Sequence, residues 1–262
     1  MALLEVENLT IRYRGQHQAA VKQLSFTIEA GETLALVGES GSGKTTTGYA
    51  LLGLLPAGAH TTADRLQFEG QDIRHLSESA LRQLRGGRVG MIFQDALSAL
   101  NPLMKVGDQI AESVRLHQQV GRKEARLRAL ALLHKVRIPM ADQRYASYPH
   151  QLSGGMRQRV VIAMALAGNP ALLIADEPTT ALDVTIQAQI IRLLAAIQQE
   201  TGTAILLITH DLGVVAELAD RVAVLRHGEC LETQSAQRLY QHPQHAYTRQ
   251  LLNARPLAGG QL

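Results

Sequence analysis

Leu34-Ala35-Leu36-Val37-Gly38-Glu39-Ser40-Gly41-Ser42-Gly43-Lys44-Thr45-Thr46 is an apolar run that turns abruptly into glycine and serine around one lysine. The apolar residues predict a buried strand, and Gly38 to Thr45 spell G-x-x-x-x-G-K-T directly after it. Glycines let successive backbone N–H groups face one point, and a helix opening at the lysine adds its positive end to them. Strand, loop and helix together predict a phosphate cradle. Lys44 is placed for the β and γ phosphates of a nucleotide and Thr45 for Mg²⁺, with Gly38, Glu39, Ser40, Gly41, Ser42, Gly43 and Thr46 around them. The plainer alternative is a glycine-rich turn with an exposed lysine, which needs neither the strand before nor the helix after.

Working outward, Leu172-Leu173-Ile174-Ala175-Asp176-Glu177 is a second buried strand, and it ends in two carboxylates. Charges belong at the carboxyl end of such a sheet. Side chains alternate along a strand, so the two diverge: Asp176 approaches the Mg²⁺ shell, while Glu177 faces the γ-phosphate and can orient or deprotonate water. Lys44 and Asp176 stand further apart in the chain than one or two βα units allow. The stretch from about Lys105 to Ala167, where Leu, Ala, Arg and Gln recur with helical spacing, predicts a helical insertion between them. It ends in Leu152-Ser153-Gly154-Gly155-Met156, where Ser153 and two glycines open another helix and form a second anion-binding turn.

The remaining apolar pieces fill in an α/β fold. Leu3 to Val6 and Leu24 to Ile28 read as strands, as do Ala204 to Ile208 and Arg221 to Leu225, with a helix from Val184 to Glu200. After Gln234 the pattern is polar and less periodic. The 262 residues are 46% hydrophobic and 19% charged, enough for a sizeable core and against disorder. A charge of +3, with basic residues scattered along the chain, argues against nucleic acid as a partner beyond nucleotide. Cys230 is the only cysteine, which excludes an internal disulfide or an all-cysteine cluster within one chain. The longest apolar run, Val160 to Ala175, is broken by Asn169 and Pro170, so no membrane span is expected. Glu5 and Glu7 occupy the place of a signal peptide's basic and apolar residues, so the chain is expected in the cytosol.

Leu152 to Arg159, LSGGMRQR, resembles the signature sequence of the ATP-binding-cassette (ABC) ATPases. That resemblance extends over nearly the whole chain. Gln94 resembles the family's Q-loop glutamine, Asp183 its D-loop aspartate and His210 its switch histidine, and Tyr13 stands where an aromatic stacks on adenine. Taken singly, each has an ordinary explanation: a strand aromatic, a loop amide, a helix cap, a histidine at a strand end. The resemblance implies a P-loop NTPase core with a mixed sheet, an N-terminal antiparallel β subdomain and a helical signature subdomain inserted at about 95–167. The ATPase domain would occupy 1–235 and a short tail 236–262. It further implies ATP and Mg²⁺ as cofactors, with Glu177, His210 and Gln94 catalytic and Thr45, Gln94 and Asp176 at the metal. Two cassettes would pair head to tail, so that Ser153, Gly154 and Gly155 of one close over the ATP held by the other, with Asp183 between them.

Stretches 93–102, 148–156, 175–189 and 242–252 look like the peptide and nickel importer branch of that family. Relatives carrying peptides usually continue into a longer, cysteine-containing tail, so the end at Leu262 leans the expected cargo toward nickel or a metal chelate, with di- or oligopeptides close behind. The branch implies a second, homologous ATPase subunit, two transmembrane permease subunits and an extracytoplasmic solute-binding protein, with this chain on the cytoplasmic face of the inner membrane. Rival readings are a non-transport ATPase of the superfamily, a nucleotide-sensing module without turnover, and an exporter. No sustained heptad pattern and a single LSGGM argue against the first, and Glu177 against the second.

Overall fold

A computed structural model describes residues 2–253. In chain order its elements are β1 (Leu4–Arg12), β2 (Val21–Ile28), β3 (Thr33–Val37), α1 (Lys44–Leu51), β4 (His60–Thr62), β5 (Arg65–Phe68), β6 (Gln71–Asp72), α2 (Glu78–Leu84) and β7 (Val89–Ile92). The helical stretch follows as α3 (Val106–Gln118), α4 (Arg122–Lys135), α5 (Ala141–Arg144) and α6 (Gly154–Ala165). The chain then returns to the sheet through β8 (Leu172–Asp176), α7 (Val184–Thr201), β9 (Ala204–Thr209), α8 (Leu212–Leu218), β10 (Arg221–Arg226) and β11 (Glu229–Ser235). It continues into α9 (Ala236–Gln241) and α10 (Ala246–Asn253).

Two sheets result. The larger runs β11-β10-β3-β9-β8-β7, parallel throughout except for β11, which pairs antiparallel with β10. Every residue of β3, β8 and β9 is buried, as expected of parallel strands covered on both faces. The smaller sheet is antiparallel, in the order β2-β1-β5-β6, with β4 also paired to β1. Side-chain alternation divides the apolar residues between two cores. Leu34, Leu36, Leu172, Ile174, Leu206 and Ile208 join the antiparallel sheet and the end of α1, whereas Ala35, Val37, Leu173, Ala175, Ile205 and Leu207 join the core that α7 and α8 share with the inserted helices.

The inserted helices seal themselves by periodicity. Ala125, Ala129 and Leu133 line one stripe of α4, and meet Val106, Ile110 and Val114 of α3 in the same core as Val160 and Ile162 of α6. Arg159, only 9% exposed, donates from α6 to the Val136 carbonyl at 2.9 Å and to Gln189 Oε1 of α7 at 3.0 Å, tying the insertion to the core. Among the described residues no helix is long and apolar enough to cross a membrane.

The C-terminal stretch departs from the weakly periodic polar tail read in the sequence. α9 and α10 pack on the core through buried Leu239 and Tyr247, and the Tyr240 hydroxyl donates to the Leu212 carbonyl. Helices this short carry too few turns for an apolar period to stand out. Of the tail expected over 236–262, residues 254–262 lie outside the described residues.

Candidate functional site

Four strands of the large sheet deliver side chains to its carboxyl edge: β3 runs into Gly38, β8 ends at Asp176, β9 leads to His210 and β7 to Gln94. Gly38 takes φ +154°, and a β-carbon there would stand 2.1 Å from the Leu225 carbonyl oxygen of β10. Only glycine fits both the backbone angle and that approach. The loop then turns through a Ser42 N–H to Glu39 carbonyl bond of 3.2 Å and enters α1 at Gly43. Lys44, 5% exposed, directs its ammonium inward to the carbonyls of Gly38 and Glu39, both at 2.8 Å, and to Ser42 Oγ at 3.3 Å. Burial lowers its pKa, against the opposing pull of the Glu177, Asp176 and Glu39 carboxylates.

Thr45 and Asp176 meet, with Thr45 Oγ1 donating to Asp176 Oδ1 at 2.9 Å. The other carboxylate oxygen, Oδ2, is buried and has no hydrogen-bond partner. Burial, and next to it the Glu177 charge, raises the Asp176 pKa despite the Thr45 bond and the Lys44 charge. A buried carboxylate with an orphaned oxygen, beside a hydroxyl, is a hard-oxygen donor set that fits Mg²⁺. Tyr13 lies across the first turn of α1, with its hydroxyl 3.2 Å from Thr46 Oγ1.

Glu177 turns away from Asp176 at φ +44°, a left-handed angle rare for a side chain of its kind. Its N–H donates to the Ile208 carbonyl at 2.8 Å, which pins that turn to β9. Three side chains then hold its carboxylate: Gln94 Nε2 at 3.1 Å and Thr180 Oγ1 at 2.8 Å on Oε2, and His210 Nδ1 at 3.0 Å on Oε1. Burial alone would raise the Glu177 pKa, but the bonds from Thr180 and His210, with the His210 and Lys44 charges, bring it below its ordinary value. Gln94 therefore bonds to the carboxylate beside the Thr45–Asp176 pair, not to Thr45 or Asp176. Sequence reading did not single out Thr180; its only signal is a hydroxyl three residues after Glu177, where a turn brings it back.

Ser153, Gly154 and Gly155 form a separate place. The Ser153 hydroxyl caps α6 by accepting the Met156 N–H at 3.3 Å, and none of the hydrogen bonds of the phosphate loop involves these residues. A β-carbon on Gly155 would sit 2.5 Å from Ile186 Cγ2, so this turn presses onto the first turn of α7. Asp183 caps that helix, accepting the Ile186 N–H at 2.9 Å. One chain thus carries a complete phosphate loop with its carboxylates, and a second exposed helix N-terminus outside it.

The family model described as ABC transporter matches residues 21–180. The glutathione import ATP-binding protein GsiA of Escherichia coli K12 is 53% identical over 98% of this chain, and that of Escherichia coli O1:K1 is 54% identical over the same share. The chain spans about two fifths, 42%, of the length of these curated relatives. Among solved structures, CbiO1 of Clostridium perfringens, part of the ABC transporter complex CbiONQ, aligns with TM-score 0.80 at 28% identity, covering 92% of this chain and 91% of that one. The ATP-binding cassette MJ0796, in a dimeric post-hydrolysis state bound to ADP and Pi, aligns with TM-score 0.76 at 28% identity, covering 89% and 98%. With the family model matched over residues 21–180 and relatives of that family more than half identical across nearly its whole length, the chain belongs to the ABC transporter family.

Proposed function

We propose that this chain binds ATP at the Gly38–Thr46 loop and hydrolyses it with Glu177 as the base, as the energy-coupling part of an importer. The observation that carries this reading is the Glu177 carboxylate, held at three points by Gln94, Thr180 and His210 beside the Thr45–Asp176 pair. Thr45 and Asp176 would hold Mg²⁺, which supplies charge neutralisation on the phosphates. Lys44 exchanges loop carbonyls for phosphate oxygens as its partners, and Tyr13 offers an aromatic face to the adenine. Glu177 orients a water and takes its proton as the water oxygen bonds to the γ-phosphorus and the bond to the β-phosphate bridging oxygen breaks. ADP leaves with that oxygen. His210 and Gln94 keep the carboxylate aimed while this happens.

Ser153, Gly154 and Gly155 supply their donors to the ATP of a second cassette, either another copy or a homologous subunit, with Asp183 at the seam. The separation of that turn from the phosphate loop supports this arrangement, as does the dimer reported for the MJ0796 cassette. Two permease subunits are the partners that need a docking face. An apolar groove lined by Leu52, Leu54, Met91, Phe93, Leu116 and Met164, between the core and the inserted helices, suits an apolar helix from such a subunit. Leu97 and Leu103, exposed nearby in sequence, extend the apolar character. In this reading the chain works at the cytoplasmic face of the inner membrane, with an extracytoplasmic binding protein choosing the cargo.

For the cargo, the likeness to glutathione import proteins favours a small peptide over nickel. Phosphate release from γ-labelled ATP by the purified chain, and its loss in Glu177→Gln, tests the enzymatic reading; undiminished release overturns it. Calorimetry on the partnering binding protein with glutathione, dipeptides and nickel tests the cargo, and metal-only binding overturns the peptide assignment.

A further inference from the structure

The peptide joining Gly38 to Glu39 is held from both sides. Its carbonyl accepts from Lys44 Nζ at 2.8 Å, and its N–H donates to the Tyr247 hydroxyl of α10 at 3.3 Å. With φ +154° at a residue without a β-carbon, the local chain does little to fix the plane of that peptide. Reversing the plane would turn the N–H toward the Lys44 ammonium, donor against donor. The two contacts therefore define one orientation, and one of them comes from a helix more than two hundred residues away in the chain.

Tyr247 is built to stay where it is. Its side chain is 3% exposed, and the Arg226 guanidinium lies 4.6 Å from its ring centroid. Arg226 follows Leu225, whose carbonyl meets Gly38, so the ring packs beneath the same strand end that supports the loop. The start of α10 is clamped by Glu232 of β11, which accepts from the N–H groups of Gln244 at 2.8 Å and His245 at 2.9 Å and from the Thr248 hydroxyl at 2.7 Å. Burial works against ionising Glu232, but these bonds outweigh it and hold its pKa below the ordinary range. The ring of Tyr247 closes part of the core, and the same clamp aims its hydroxyl at the loop amide of Glu39.

We propose that Tyr247 is a positioning residue for the phosphate loop: by accepting the Glu39 N–H it fixes the Gly38–Glu39 peptide so that the loop and Lys44 are pre-arranged for nucleotide phosphates. The consequence for affinity rests on the ATP reading above, whereas the anchoring of the amide does not. Tyr247→Phe keeps the ring and its contact with Arg226 and removes only the hydroxyl. Loss of one neutral hydrogen bond corresponds to a two- to tenfold change in an equilibrium, at about 0.5–1.5 kcal/mol.

The test has two arms on the full chain. Amide hydrogen exchange of Glu39, followed by NMR without nucleotide, is expected to quicken in Tyr247→Phe, while Tyr240→Phe, which removes the α9 hydroxyl bonded to Leu212, leaves it unchanged. Equal exchange in wild type and Tyr247→Phe, or an equal effect of Tyr240→Phe, overturns the anchor. MgATP titration is expected to show about two- to tenfold weaker binding for Tyr247→Phe, with the melting temperature lowered by no more than a few degrees. Unchanged affinity alongside faster exchange overturns the positioning role. A wild-type chain that protects Glu39 but binds no MgATP overturns the ATP reading and leaves the anchor standing.

Discussion

Glu177 Oε1 and His210 Nδ1 lie 3.0 Å apart at the ends of neighbouring strands, so the carboxylate read as the base is oriented by a residue from a different βα unit. Because burial opposes ionisation while Thr180, His210 and Lys44 favour it more, Glu177 stays charged below its ordinary 4.5.

Glu177→Gln is therefore expected to bind ATP normally and to lose about 10²–10⁴ of turnover, the range for a positioned base. Rapid-quench measurement of phosphate release checks it, and turnover within about threefold of wild type refutes the assignment.

The acid limb of the rate profile follows from the same depressed pKa. In wild type it should fall below the range of an ordinary glutamate, and His210→Ala should move it to higher pH, because one bond and one charge favouring the ionised form are gone. The stability linked to Glu177 has the matching sign: present above the ordinary pKa and lost as pH falls through the lowered one. A limb that does not move would mean His210 does not touch the working carboxylate.

Asp176 titrates in the opposite sense. Its folded pKa is raised chiefly by burial, so its charge destabilises the free protein above that pKa and not below the unfolded value. Asp176→Asn keeps an oxygen for Thr45 and removes the charge. It should raise the melting temperature at pH 7 by a few degrees, about 1 kcal/mol, while abolishing Mg²⁺-dependent hydrolysis. A lower melting temperature contradicts the cause given for the shift.

Ser153→Arg places a long cation on an exposed turn that makes no bond to its own phosphate loop. Alone it should lose most of its hydrolysis, and mixed with a chain carrying Glu177→Gln it should recover part of the wild-type activity, because one site of the mixed dimer then combines Glu177 of one chain with Ser153 of the other. No recovery in the mixture would mean each chain completes its own site.

Most of this site is legible in the sequence because its parts are strand ends. Lys44, Asp176, Glu177 and His210 each follow a wholly apolar run, and the order of those runs locates them on one sheet edge. Asp183 caps α7, the ordinary explanation of that residue, and the cap does not exclude the D-loop aspartate that the resemblance implies. Thr180 was missed because its value depends on the left-handed turn at Glu177, which no propensity signals. Tyr247 was missed for a different reason: a contact from α10 to Glu39 spans nearly the whole chain, and short helices such as α9 and α10 leave little period to read. β4, β5 and β6 are two to four residues long and mostly exposed, too brief for alternation to mark them.

Successive residues of β3, β8 and β9 feed opposite cores, so none of these strands belongs to a single subdomain. Unpacking α7 and α8 would strip one wall from the sheet that also backs the phosphate loop, and melting the antiparallel sheet would strip the other. The sheet and its two walls are thus expected to melt together, in a single calorimetric endotherm.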